Sequence, residues 1–274
     1  MTDPFKIDGP TCISFSGGRT SAYMLWRFLQ SNAGLPSDAT VIFANTGREA
    51  KQTLQFVADV AREWSIPIRW AEFRAGFSFE EVTFANAARE GEPFEQLIRD
   101  KKMYLPNAIQ RFCTVELKIK TAERMLRAEG WTEWDSMLGM RADEPNRVAK
   151  IRAMPVMKES PGVERCVPLA TAGITKAHIR DFWATQSFDL ALPIDYNGTT
   201  VDGNCDGCFL KSAHQRVSAM QRNPQMPVWW IRMEELTGGT FTKNHSYKAM
   251  ANFAANQINI FDPDQKAIDC FCGD

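Results

Sequence analysis

Histidine is scarce in this chain of 274 residues: His178, His214 and His245 are the whole complement. They are dispersed, so neither a histidine-based metal motif nor a Ser/His/Asp arrangement appears. His178 is expected at a surface or packing position, and His214 in solvent. Charge of one sign is lacking too. With 32 Lys and Arg against 33 Asp and Glu, the formal net charge is -1. That removes any global attraction to nucleic acid or membranes and leaves only a local basic patch as a route to either. No apolar run is long enough to span a bilayer. The opening Met1-Thr2-Asp3-Pro4 has no basic stretch followed by an apolar run, so the cytoplasm is the expected location. Internal repeats, low-complexity segments and clear linkers are missing as well.

What is present suits a globular protein. The chain is 44% hydrophobic and 24% charged, enough to bury a substantial core. Its length fits one large α/β domain or one domain with a smaller appendage. In a reducing compartment its seven cysteines read as thiols or metal ligands rather than a disulfide framework. Cys12-Ile13 leads into a strand end, and Leu25, Phe28 and Leu29 follow at helical spacing. Thr40–Ala44 reads as a buried strand, and a helix follows from about Glu49. Ile66–Trp70 begins a third strand. Strand and helix alternating in this way predict a doubly wound, mostly parallel sheet covered on both faces. Residues 77 to 111 read as mixed helix and loop, Glu116–Glu129 as a helix and Trp134–Met140 as a strand. Thr175 is placed to cap a helix carrying Ile179, Phe182 and Trp183. Val228–Ile231 reads as an apolar strand, with Trp229 and Trp230 as a core pair. Residues 1–150 are expected to form a nucleotide-binding core. Residues 151–274 would be a C-terminal extension packed on it as one unit.

Three loops follow strands. The first is Ser14-Phe15-Ser16-Gly17-Gly18-Arg19-Thr20-Ser21. A strand, a small-residue loop and a helix start make a phosphate-binding geometry: unpaired backbone N–H groups and the helix dipole both favour an anion. Glycines allow close approach, and Ser16, Thr20 and Ser21 add hydroxyls. The same residues also suit an ordinary turn that starts a helix. The second loop is Asn45-Thr46-Gly47-Arg48, and the third runs from Gly139 through Arg141 and Glu144 to Arg147. Their shared place at strand ends, with three arginines, suits a phosphorylated or sulfated nucleotide.

These segments resemble a family. The Ser14–Ser21 stretch is similar to the phosphate loop of the N-type ATP pyrophosphatases, and most similar to the phosphoadenosine phosphosulfate reductase branch. Asn45-Thr46-Gly47 resembles that branch's second loop. Gly139-Met140-Arg141-Ala142-Asp143-Glu144, with Arg147, resembles its arginine loop. Pro168-Leu169, Ile174-Thr175 and Asp181-Phe182-Trp183 resemble the segment before its second cysteine motif. The resemblance runs from about residue 11 to 212. It implies binding of ATP or phosphoadenosine phosphosulfate, with magnesium as an accompanying ion. Thr20 departs from the pattern, which has Asp there. That leaves phosphate binding as the expectation and removes a support for pyrophosphatase chemistry.

Cys205-Asp206-Gly207-Cys208 is a Cys-x-x-Cys unit, and Cys113 supplies a further thiol. Short-spaced thiolates select zinc, copper(I) or iron–sulfur clusters. The resemblance implies a 4Fe–4S cluster on Cys113, Cys205 and Cys208, with the fourth ligand unassigned. A structural zinc on Cys205, Cys208, Cys270 and Cys272 is the alternative, as is a redox dithiol at Cys205 and Cys208. Cys12 is expected in the core. The resemblance also implies a tail nucleophile, Cys270 or Cys272, with thioredoxin or another electron or sulfur donor as partner; incidental thiols at a disordered end are the other reading. Two enzyme reactions fit: reduction of a sulfonucleotide, or ATP-dependent sulfur transfer to tRNA, DNA or a small molecule. A zinc-stabilised nucleotide-binding module without catalysis is the third reading.

Overall fold

The structure is a computed structural model that describes residues 3–194 and 200–256. In chain order the elements begin β1 (Thr11–Ser14), α1 (Arg19–Asn32), β2 (Ala39–Asn45), α2 (Lys51–Glu63), β3 (Arg69–Arg74), β4 (Ser78–Val82) and α3 (Glu92–Asp100). A π-helix (Thr114–Lys120) then runs into α4 (Thr121–Ala128). β5 (Trp134–Met137), α5 (Pro145–Ala153), β6 (Val163–Cys166), α6 (Pro168–Thr171) and α7 (Lys176–Trp183) follow. Last come α8 (Ala213–Arg222), α9 (Pro227–Thr237) and α10 (Tyr247–Asn256).

The sheet order is β4-β3-β2-β1-β5-β6, parallel throughout except for β4, which is antiparallel to β3. Strand alternation divides the core. Ile13, Phe15, Val41 and Phe43 face α1, α2 and α7, where Leu25, Phe28, Val57 and Trp183 meet them. Cys12, Ile42 and Ala71 face the other way, onto Met125, Leu126 and Trp134. The doubly wound sheet is therefore present as expected, with two additions. β4 makes an antiparallel edge within a stretch read as helix and loop. β6 carries the sheet past residue 150 and pairs with β5.

One assignment is corrected. Val228–Ile231 is not a strand but lies within α9. Pro227 sits in the first turn, where its missing N–H costs nothing. Trp229, Trp230, Met233 and Glu234 are buried at helical spacing, and Gly238 ends the helix with φ 68°. An apolar run of four residues does not separate helix from strand by periodicity alone. The tryptophan pair is in the core as expected: Trp230 stacks on Tyr247 with centroids 5.1 Å apart. Together with Phe94, Phe73 and Phe241 these rings form a second core, and Cys208 is buried in it.

Candidate functional site

The strand order reverses between β1 and β5, and open α/β sheets bind ligands above that switch point. The Ser14–Ser21 loop leaves β1 there. Ser21 Oγ accepts from the Ser16 amide at 3.2 Å, meets Ser16 Oγ at 2.9 Å and donates to the Gly18 carbonyl at 3.0 Å. Gly17 has φ 79°, and a Cβ on it would come within 2.7 Å of Thr53 Cγ2. Both facts reserve the position for glycine. The bond from the Ala22 amide to the Gly18 carbonyl opens the α1 ladder, so the amides of Arg19, Thr20 and Ser21 have no acceptor within the helix.

The loop is a shared wall between two cavities. One, of about 380 Å³, lies over the ends of β1, β2 and β5 and is mostly apolar. Ser14, Ser16, Ser21 and Gly139 line it on the loop side, with Val115, Ile119, Leu126 and Trp134 opposite. The other, of about 370 Å³, lies on the α7 side. Its wall includes Ser16, Gly17, Gly18 and Thr20 and the cations Arg19, Arg141, Lys176 and Arg180, against one carboxylate, Asp189. It reaches Gly203 and Asn204, directly before Cys205. Both volumes lie within the range of small-molecule sites.

Three further contacts lock this wall. Arg19 makes a bidentate pair with Asp189 at 2.6 and 2.8 Å and reaches Thr200 Oγ1 at 2.9 Å. Trp183 Nε1 donates to the Arg19 carbonyl at 3.0 Å, which fastens α7 to the loop. Arg141 Nη1 donates to Thr20 Oγ1 at 3.2 Å, joining the third loop to the first. Glu144 organises the third loop by accepting from the Arg141 amide at 2.9 Å and pairing with Arg147. Arg147 is buried, and its Nε and Nη2 have no hydrogen-bond partner. Neither Glu144 nor Arg147 lines either cavity.

The second loop is placed elsewhere than expected. Asn45, Thr46, Gly47 and Arg48 line neither cavity. Asn45 is spent on Glu72 at 2.6 Å, the Ala88 carbonyl at 2.9 Å and the Gly47 amide at 3.1 Å. Thr46 bonds Glu49 through both its amide and its hydroxyl at 2.9 Å. Arg48 forms a bidentate pair with Asp206 at 3.0 and 2.6 Å. The loop is thus the cradle of the Cys-x-x-Cys unit: the Asp206 amide bonds the Arg48 carbonyl at 2.7 Å, and Cys205 Sγ lies 3.4 Å from Thr46 Oγ1. Burial pushes the Asp206 carboxyl above its ordinary value, against the pull of Arg48.

Cys205 and Cys208 share one apolar shell with Cys113 and Phe112. Cys113 caps the π-helix, whose wide turn is held where the Thr121 hydroxyl donates to the Glu116 carbonyl at 2.7 Å. Lys118 on that helix lies 3.7 Å from Glu49 and also lines the apolar cavity. Lys211 Nζ is buried without a hydrogen-bond partner, three residues after Cys208. Among the described residues, no three His, Cys, Asp or Glu side chains are assembled as a ready metal site. The donors present, three cysteines belonging to or packed against the second core, match a cluster in kind. Cys270 and Cys272 lie outside the described residues. Cys12 is in the core, where burial pushes its thiol up to about 12. His178 holds the start of α7, its Nδ1 accepting from the Thr175 amide at 3.0 Å.

Thr53, Lys176 and Asp189 escaped the reading of the sequence. None belongs to a motif, and each reaches the loop only because α2, α7 and the segment after it fold against α1. Thr53 is 2% exposed, lines the cationic cavity, and its Oγ1 has no partner.

A phosphoadenosine phosphosulfate reductase domain model matches residues 10–189. The nin region protein ORF290 of Escherichia phage lambda is 30% identical over 216 residues, 74% of this chain and 67% of that protein. Protein MJ0066 of Methanocaldococcus jannaschii is 28% identical over 148 residues, 54% of this chain and only 26% of that protein. Among solved structures, a phosphoadenylyl-sulfate reductase from Candida auris in a phosphate complex has 15% identity and a TM-score of 0.43, covering 67% of this chain and 79% of that one. The U34-tRNA thiolase NcsA from Methanococcus maripaludis, with its [4Fe-4S] cluster, has 13% identity and a TM-score of 0.41, covering 92% and 73%.

Proposed function

The chain belongs to the phosphoadenosine phosphosulfate reductase domain family, and on that premise we propose that it binds an adenine sulfonucleotide and reduces its sulfate to sulfite. The observation that carries this reading is the shared wall. The apolar cavity suits the nucleoside, and the cationic cavity beyond Ser16–Ser21 suits the anionic end. That second cavity ends against Gly203-Asn204, so the sulfate is directed toward the Cys-x-x-Cys unit.

In this reading the loop amides and the Arg19 and Arg141 guanidiniums orient the phosphosulfate. A thiolate of the chain, Cys270 or Cys272, attacks sulfur. The bond from sulfur to the phosphate oxygen breaks, and the adenosine phosphate leaves carrying the bonding electron pair. A second thiol, from a dithiol donor of the thioredoxin class, attacks the cysteine sulfur and expels sulfite. The donor's other thiol then resolves the mixed disulfide, so the donor ends oxidised by two electrons. Cys113, Cys205 and Cys208 would hold an iron–sulfur cluster, which when bound would tune the charge near the anion or carry sulfur. Arg48, Thr46 and Lys211 shape the surroundings of that cluster.

The test is anaerobic purification with iron and sulfide analysis, followed by assay of sulfite release from phosphoadenosine phosphosulfate with thioredoxin. Bound iron and thioredoxin-dependent sulfite are expected. Pyrophosphate release from ATP without sulfite would replace reduction by ATP-dependent sulfur transfer. Stoichiometric zinc without iron would remove the cluster.

A further inference from the structure

The residues around the phosphate loop do not fit a magnesium ion. Magnesium is held through oxygen ligands, normally one or two carboxylates together with substrate phosphates. Three carboxylates stand near this loop, and each is committed on both oxygens. Asp189 gives both to Arg19. Asp143 accepts from Arg141 Nε at 2.9 Å and from the Lys176 amide at 3.1 Å. Glu144 accepts from the Arg141 amide and from Arg147. Four cations line the cavity against the single carboxylate of Asp189.

We infer that this loop neutralises its polyanion with arginine in place of a divalent cation, with Arg141 as the neutralising group and Thr20 as the residue that positions it. The inference rests on the reading of the loop as a polyanion site. Arg141 is 15% exposed and is fixed by Asp143 on Nε and by Thr20 on Nη1, with Glu144 3.7 Å from its Nη2. A guanidinium carries five N–H donors, so three remain for phosphate or sulfate oxygens. Thr20 is 4% exposed, and its oxygen accepts from Arg141, so the position serves a guanidinium rather than a metal. The consequence is a preference for the uncomplexed anion, since bound magnesium would occupy the same oxygens that the arginines address.

Calorimetric titration of the full chain with ATP and with inorganic pyrophosphate, in EDTA and again in excess magnesium chloride, tests this. Affinity in EDTA should equal or exceed that in magnesium. Arg141→Gln should weaken binding about ten- to a hundredfold in EDTA, the worth of charge-assisted hydrogen bonds. Thr20→Asp should invert the metal dependence, because the new carboxylate would pair with Arg141 and supply a magnesium ligand, making magnesium tighten binding. Thermal melting confirms the fold of each variant. If Arg141→Gln does not fold, the Thr20→Asp inversion and the wild-type comparison decide the matter. Wild-type binding that requires magnesium would overturn the inference and leave the nucleotide reading standing. Failure of both probes to bind in either buffer would overturn the nucleotide reading itself.

Discussion

Replacing Thr53 by valine should stabilise the protein. Thr53 sits in the first turn of α2 with 2% exposure, and its hydroxyl has no hydrogen-bond partner. Burying such a group unpaired costs about 1–3 kcal/mol. Valine has the same shape and keeps a methyl against Gly17, so that cost is relieved without a cavity. A domain of about 150–250 residues gains roughly 2–4 °C in Tm per kcal/mol, so a rise of about 2–12 °C is expected. Thr53→Ser is the control: it keeps the hydroxyl and loses a methyl, so stability should drop by about 1 kcal/mol. Differential scanning calorimetry reads both variants. A valine variant with unchanged Tm would refute the unpaired hydroxyl.

Gly17→Ala should destabilise the protein by about 2–5 kcal/mol, of which about 1–2 comes from the left-handed backbone and about 1–3 from overpacking on Thr53. Urea denaturation would show it, and nucleotide binding should be lost with it. Cys12 should resist iodoacetamide in the native chain near neutral pH, because burial raises its thiol from 9.0 to about 12. Its folded value is the higher one, so the stability tied to the neutral thiol is fully present below pH 9.0 and lost as pH rises through about 12. Peptide mass spectrometry after alkylation, with and without urea, checks the reactivity.

The bend after β1 was legible in the sequence because its conformation is local. Strand, glycine pair and helix start follow one another within eight residues, and no distant contact is needed to create orphan amides at Arg19–Ser21. The contacts of the second loop were not legible because they depend on a partner far along the chain. Arg48 reads as an anion ligand beside a strand end, yet Asp206 captures it at 2.6 Å. The α9 segment misled for a related reason: four apolar residues fit either period, and only the second core shows which faces are covered.

Local order and spacing in the chain thus determined the alternating strands and helices, the glycine bend after β1, and the identity of the thiols grouped at positions 205 and 208. Tertiary structure alone decided which charges meet. It spent Arg48 on Asp206 and Arg19 on Asp189, hung Arg141 from Thr20, and brought the unpaired hydroxyl of Thr53 to the loop. Hydrogen-bond geometry and desolvation act over a few ångströms, and residues more than a hundred positions apart come within that range only once the sheet has closed and its helices have packed.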